Sequence, residues 1–96
     1  MKTKGRIDYI MGNDEFIKQA KEVVREYTLA HLDKTDEVPQ FDVFVVWSCK
    51  TLQNHKALLS TTISDGMYYE ITYNGDKKEA YLDAYKKFEN KVVMKG

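Results

Sequence analysis

The sequence predicts an α+β domain in the order α-β-β-β-α: a three-stranded antiparallel meander with two helices packed on one face. Three observations predict it. Apolar residues recur at spacings of three and four from Phe16 to His31, and again from Tyr81 to Val92. Between these segments, three stretches rich in β-branched and aromatic residues are set apart by short turn sequences. The chain has 96 residues, one proline and no repeat, which leaves room for a single core.

The first helix is expected from about Asn13 to Leu32. Asn13 suits the N-cap, and Asp14 and Glu15 suit the positive end of the helix dipole. Phe16, Ala20, Val23, Tyr27 and His31 form its apolar stripe, widened by Ile17, Val24 and Ala30. Lys18, Lys21, Glu22, Arg25 and Glu26 occupy the other side. The polar run Asp33 to Glu37 ends the helix, and Pro39 forces extended chain before the first strand. Ahead of the helix, residues 1–12 carry Lys2, Lys4 and Arg6 and a short apolar run from Ile7 to Met11. They read as an arm, an extra edge strand or a docking segment; residues 13–96 read as the single domain.

Strands are expected over Phe41–Lys50, Lys56–Ile63 and Met67–Tyr73, with turns at Gln53-Asn54-His55 and Ser64-Asp65-Gly66. A two-residue turn at Asp65-Gly66 would mix the two faces of the sheet. A three-residue loop ending in Gly66 keeps them apart, pairing Ile63 with Met67, Thr61 with Tyr69, Leu59 with Ile71 and Ala57 with Tyr73. A three-residue loop at Gln53 to His55 likewise pairs Cys49 with Leu59 and Trp47 with Thr61. The core face then carries Val43, Val45, Trp47, Cys49, Ala57, Leu59, Ile63, Met67, Tyr69, Ile71 and Tyr73. Asn74-Gly75 ends the sheet. Asp76-Lys77-Lys78-Glu79 has the pattern of a capping box, opening a last helix whose buried stripe is Tyr81, Ala84, Tyr85, Phe88 and Val92.

Composition narrows the function classes. Fifteen basic residues balance fifteen acidic ones, so no overall field draws the chain to nucleic acid or to a membrane surface. Cys49 is the only cysteine, which excludes an intramolecular disulfide. Together with the lack of a long apolar run, it points to the cytoplasm.

Few residues suggest chemistry. Cys49 and His55 are the one conceivable nucleophile and base, but the expected register turns Cys49 into the core and leaves His55 in a turn. A buried thiol behaves as a small hydrophobe. His31 and His55 come from different elements with no acidic or cysteine cluster at ligand spacing, so no metal and no cofactor is expected. Asn74 to Lys78 could hold an anion at a helix N-terminus, although Asp76 would already fill the cap. The open face of the sheet says most. It should show Phe44, Val46, Ser48, Lys50, Leu58, Ser60, Thr62, Tyr68, Glu70 and Thr72, and its apolar members approach the size of a contact patch. Phe44, Val46, Leu58, Thr62, Tyr68 and Glu70 are the expected interface residues.

From Val45 to Phe88 the sequence resembles a family of small uncharacterised proteins encoded by phages and prophages of Gram-positive bacteria. Val46-Trp47-Ser48-Cys49-Lys50, the run Leu52 to Thr62, Ser64 to Glu70 and Tyr73-Asn74-Gly75-Asp76 carry the likeness. It implies an accessory gene product of the host bacterial cytoplasm and brings no activity and no functional residue. A second likeness, in the α-β-β-β-α order, is to the double-stranded RNA-binding domain. There Lys77-Lys78-Glu79-Ala80 resembles the lysine-bearing start of the last helix, and His55 a histidine of the first hairpin loop. Tyr81 stands where a third lysine belongs, and the glycine-proline pair before the histidine is missing. The expectation is a non-enzymatic protein that binds a second copy or a host protein, modulating host metabolism or defence. The alternative is a nucleic-acid binder using His55, Lys77 and Lys78. No membrane partner is expected.

Overall fold

Helix α1 runs Asn13–His31 in the computed structural model, which describes residues 12–32 and 39–96. Gly12 rather than Asn13 is the N-cap; its carbonyl accepts a 3.0 Å bond from the Phe16 N–H, and no side chain caps the helix. Phe16, Ala20, Val24 and Thr28 form the buried line at a spacing of four, with Ile17 and Tyr27 partly buried beside it. Val23, expected within the stripe, is largely exposed. The buried line is rotated by one residue because α1 lies over β1 (Val43–Thr51) and β2 (Asn54–Thr61). Among the described residues no helix lies on the far side of the sheet. The expectations for residues 1–11 and for the polar run 33–37 fall outside the described residues.

Among the described residues four strands, not three, make the sheet. β3 spans Met67–Asn74 and β4 spans Glu79–Lys86, and the antiparallel order is β1-β2-β3-β4. The expected second helix is therefore a correction: its first half is β4, and residues 87–96 have no regular secondary structure. Tyr81, Ala84, Tyr85, Phe88 and Val92, expected to be buried, are all exposed. Two physical reasons account for this. The Asn74 Oδ1, not an Asp76 cap, accepts from the N–H groups of Asp76 at 3.0 Å and Lys77 at 3.1 Å, closing a turn, and Lys78 at φ 56° carries the chain back. β3 also offers a free edge of backbone groups, which β4 satisfies along its whole length from Asn74–Glu79 to Met67–Lys86.

The register moves the faces in an informative way. β2 and β3 pair Leu59 with Tyr69, Ala57 with Ile71 and His55 with Tyr73. This differs from the expected register by two residues, so every side chain keeps its expected face. β1 and β2 begin with Val43 opposite Thr61 and Val45 opposite Leu59, but a bulge at Val46 then sets Trp47 opposite Leu58 and Cys49 opposite Lys56. Beyond the bulge the alternation is reversed. Trp47 and Cys49 leave the core face on which they were expected, and Ser48 and Lys50, expected on the open face, align with Ala57 and His55 on the helix side.

The core lies between α1 and one face of the sheet, built from Phe16, Ala20, Val24, Val43, Ala57, Leu59, Tyr69, Ile71 and Tyr73, with Phe41 at its rim. His55 belongs to it. Instead of occupying a turn it is buried in β2, stacked on Phe16 with ring centroids 4.8 Å apart and 6.1 Å from Tyr73. The turn begins one residue earlier than expected and is one residue shorter, at Leu52-Gln53, with Leu52 at φ 57°.

Two loops at one end of the sheet are locked together. The Gly75 N–H donates to Asn54 Oδ1 at 2.8 Å, and Gln53 Nε2 donates to Asp76 Oδ1. A Cβ on Gly75 would fall on the Gln53 carbonyl oxygen and lie 2.7 Å from the Gln53 Cβ. Gly75→Ala must therefore push the β1–β2 turn and the β3–β4 loop apart. The expected loss is about 1–3 kcal/mol, the usual range for overpacking. A urea midpoint unchanged from the parent protein would show that the two loops do not pack in solution.

Candidate functional site

The face of the sheet turned away from α1 is the candidate site. Cross-strand register arranges it in rows that share one side of the sheet. Phe44, Ser60, Tyr68 and Tyr85 form one row; Trp47, Leu58, Glu70 and Asp83 the next; Cys49, Lys56, Thr72 and Tyr81 the third. Phe44, Trp47, Tyr81 and Tyr85 are each about half exposed, as is Val46 at the bulge (44–52% across the five). Five aromatic side chains from three strands, β1, β3 and β4, counting the partly buried Tyr68, thus face solvent. For a single domain this is an unusually large aromatic surface to leave in water.

The face is divided chemically. Its β1–β2 half carries the apolar Phe44, Trp47 and Leu58, with Lys56 at one end. Its β3–β4 half is tyrosine and acid. Lys56 Nζ lies 3.8 Å from Glu70 Oε2, and the Tyr85 hydroxyl donates to Glu70 Oε1 at 3.5 Å. The negative charge of Glu70 raises the Tyr85 phenol above its ordinary range, with further contributions from desolvation, from Asp83 and from the hydrogen bond to Glu70. Tyr81 is raised as well, first by donating its hydroxyl proton to Glu79 Oε1. The face's charged strand residues are Lys56 against Glu70, Glu79 and Asp83, one positive and three negative, for a net of −2. Ser60 gives no free hydroxyl, since its Oγ donates to the Met67 carbonyl at 2.7 Å.

Of the expected interface residues, Phe44, Leu58, Tyr68 and Glu70 share this face, and Val46 sits exposed on the bulge beside it. Thr62 lies beyond β2, tied to Asp42 through its N–H at 3.0 Å and its Oγ1 at 2.9 Å. The register adds Trp47, Cys49, Tyr81, Asp83 and Tyr85. The signal for the last three was present as strict alternation, with Tyr81, Asp83 and Tyr85 against Ala80, Leu82 and Ala84.

The other candidates are dispersed. Cys49 is exposed on the open face while His55 is 2% exposed on the opposite one, so the thiol and the imidazole do not meet. Lys77 and Lys78 are exposed in the β3–β4 loop, which is not a helix N-terminus. With His55 in the core, the trio matched to the RNA-binding domain does not share a surface. His31 is exposed at the end of α1, stacked on Tyr27 at 4.1 Å, with its Nδ1 2.8 Å from the Tyr27 carbonyl oxygen. Among the described residues, no group of three or more His, Cys, Asp or Glu side chains could hold a metal ion, and no helix is long and apolar enough to cross a membrane.

A model of a family of unknown function, DUF6275, matches residues 17–95. The chain belongs to that family. No curated protein and no solved structure matches it. The match spans all of the sheet and nearly all of α1, so the open face of this DUF6275 protein lies within the shared region. Phe16, whose ring closes the core against His55, sits one residue ahead of it.

Proposed function

We propose that this protein is a non-enzymatic accessory protein of a phage or prophage that acts in the bacterial cytoplasm by binding protein through the open face of its sheet. The observation that carries the reading is that face itself: an apolar half of Phe44, Trp47 and Leu58 continuous with a tyrosine-rich acidic half. Aromatic anchors inside a polar rim are the composition of protein interfaces. The net charge of −2 on the face speaks against a polyanion, whose phosphates need cations to replace their counterions. The likeness of residues 45–88 to phage and prophage proteins supports the accessory role, with modulation of host metabolism or defence as its purpose.

Leu58→Glu tests the reading, because Leu58 points to the open face and the fold should survive the change. The parent protein is expected to self-associate in sedimentation velocity or to capture a defined host protein, and the variant to do neither. Retention of both properties by a folded Leu58→Glu protein would sink the reading. So would micromolar, salt-sensitive binding of duplex RNA by the parent protein.

A further inference from the structure

We infer that the open face binds the C-terminal segment, residues 87–96, of a second copy of this chain, giving a two-fold dimer in which each copy's segment lies across the other's sheet. The inference rests on the reading of the open face as a protein-binding surface and names its occupant.

Residues 87–96 read Lys-Phe-Glu-Asn-Lys-Val-Val-Met-Lys-Gly. Phe88, Val92, Val93 and Met94 are 74–97% exposed, so four large apolar side chains meet almost nothing of their own copy. Holding that much apolar surface in water is costly, and burying it is the largest favourable term available to the segment. Its charge complements the face. Lys87, Lys91 and Lys95 against Glu89 give +2, where Lys56 against Glu70, Glu79 and Asp83 gives −2. Lys91 and Lys95 bracket the apolar run Val92 to Met94, and Lys87 precedes Phe88, so cations and apolar side chains are offered together to a face that carries carboxylates beside aromatic rings. Lysine stems can lie along the Tyr81 and Tyr85 rings while their ammonium groups reach Asp83 and Glu79.

Exposure and area favour a second copy over the segment's own sheet. The Lys87 N–H donates to the Gly66 carbonyl at 2.8 Å, which continues the β3–β4 ladder, and the exposure of Phe88, Val92, Val93 and Met94 shows that they do not pack on their own sheet. Four strands at ~4.8 Å spacing and eight residues at ~3.3 Å give the open face a projected area of about 500 Å². A stable interface needs about 800 Å² from each partner. The face alone falls short of that, and the exchanged segment makes up the difference: Phe88 by itself can bury about 150–250 Å². A reciprocal exchange closes on itself, as a two-fold contact must.

The test uses the full chain. Sedimentation of the parent protein is expected to show a monomer–dimer equilibrium. The triple variant Phe88→Ser, Lys91→Glu, Lys95→Glu should dissociate about a hundred-fold more readily, as loss of a hot-spot aromatic and two complementary charges implies. Its circular dichroism should be unchanged, since these side chains are exposed. Cys49, the chain's only thiol, reports on location. The parent protein is mixed with a copy carrying Cys49→Ser and Val92→Cys, then mildly oxidised; a disulfide-linked pair of unlike copies is expected. If Val92→Cys in an otherwise unchanged chain closes onto its own Cys49 in a monomer, the segment folds back and the inference is overturned. A monomeric parent protein whose binding to a host protein is lost in Leu58→Glu but kept in the triple variant overturns the inference and leaves the binding face standing. A monomer with neither property overturns both.

Discussion

Phe16→Ala is expected to destabilise the protein by about 3–5 kcal/mol, the usual cost of truncating a buried aromatic to alanine. Phe16 is 2% exposed at the start of α1, and its ring stacks on that of His55. Among the described residues one helix covers the sheet, and four residues, Phe16, Ala20, Val24 and Thr28, form its buried line. Phe16 is the largest of them, so no neighbour on α1 can fill the space it leaves. Removing it would also open the imidazole of His55 to water at a position now sealed. A domain of this size has about 5–15 kcal/mol of stability, so the change would take a large share of it. Chemical denaturation followed by circular dichroism measures the effect. A loss below about 1 kcal/mol, within the range of ordinary surface substitutions, would mean that α1 is not anchored at this point.

Leu59→Ala is expected to cost about 3–5 kcal/mol, and Leu58→Ala, one residue away, about 1 kcal/mol or less. Leu59 is fully buried beneath α1, between Val45 and Tyr69 on the adjacent strands. Strands hydrogen-bonded on both sides cannot close in on a void as a helix might, which places Leu59 high in the range for such truncations. Leu58 lies on the open face between Trp47 and Glu70, where water can enter the space. The pair therefore measures the face assignment directly. Equal losses from the two substitutions would show that both faces of β2 are covered in solution.

Where the sequence was a faithful guide, local and tertiary forces agreed. α1 ends within a residue of expectation because its amphipathic spacing and its burial over β1 and β2 coincide. The faces of β2 and β3 were legible even though their register was not. A slip of two residues, Leu59 meeting Tyr69 instead of Ile71, changes no side chain's direction. Trp47 was illegible for the converse reason. The bulge at Val46 adds one residue, and one residue reverses everything after it; neither glycine nor proline marks the place, and apolar residues stand on both sides. His55 was misplaced because the preceding turn puts Leu52 at positive φ, a geometry its neighbours do not announce. The second helix failed through competition. Tyr81, Ala84, Tyr85 and Phe88 satisfy a helical spacing, while Tyr81, Asp83 and Tyr85 satisfy a strand's. The free edge of β3 decides for the strand. Half of the candidate site, the part carried by β4, became visible only with that decision.

The strand order β1-β2-β3-β4 has a kinetic consequence. Among the described residues every strand pairs only with its sequence neighbour, so each of these pairings closes a loop of a few residues. Sheets are usually slow to assemble because their contacts lie far apart along the chain. This one can zip hairpin by hairpin from any of its three turns. The longest closure left is that of α1 onto β1 and β2, the strands that follow it directly. β4, which among the described residues has a partner on only one edge and meets the core through the partly buried Leu82, adds little to a nucleus built around α1, β1 and β2. Its pairing should contribute mainly to the unfolding rate, which makes it the first strand to open in the native state and the last to be protected from hydrogen exchange during refolding.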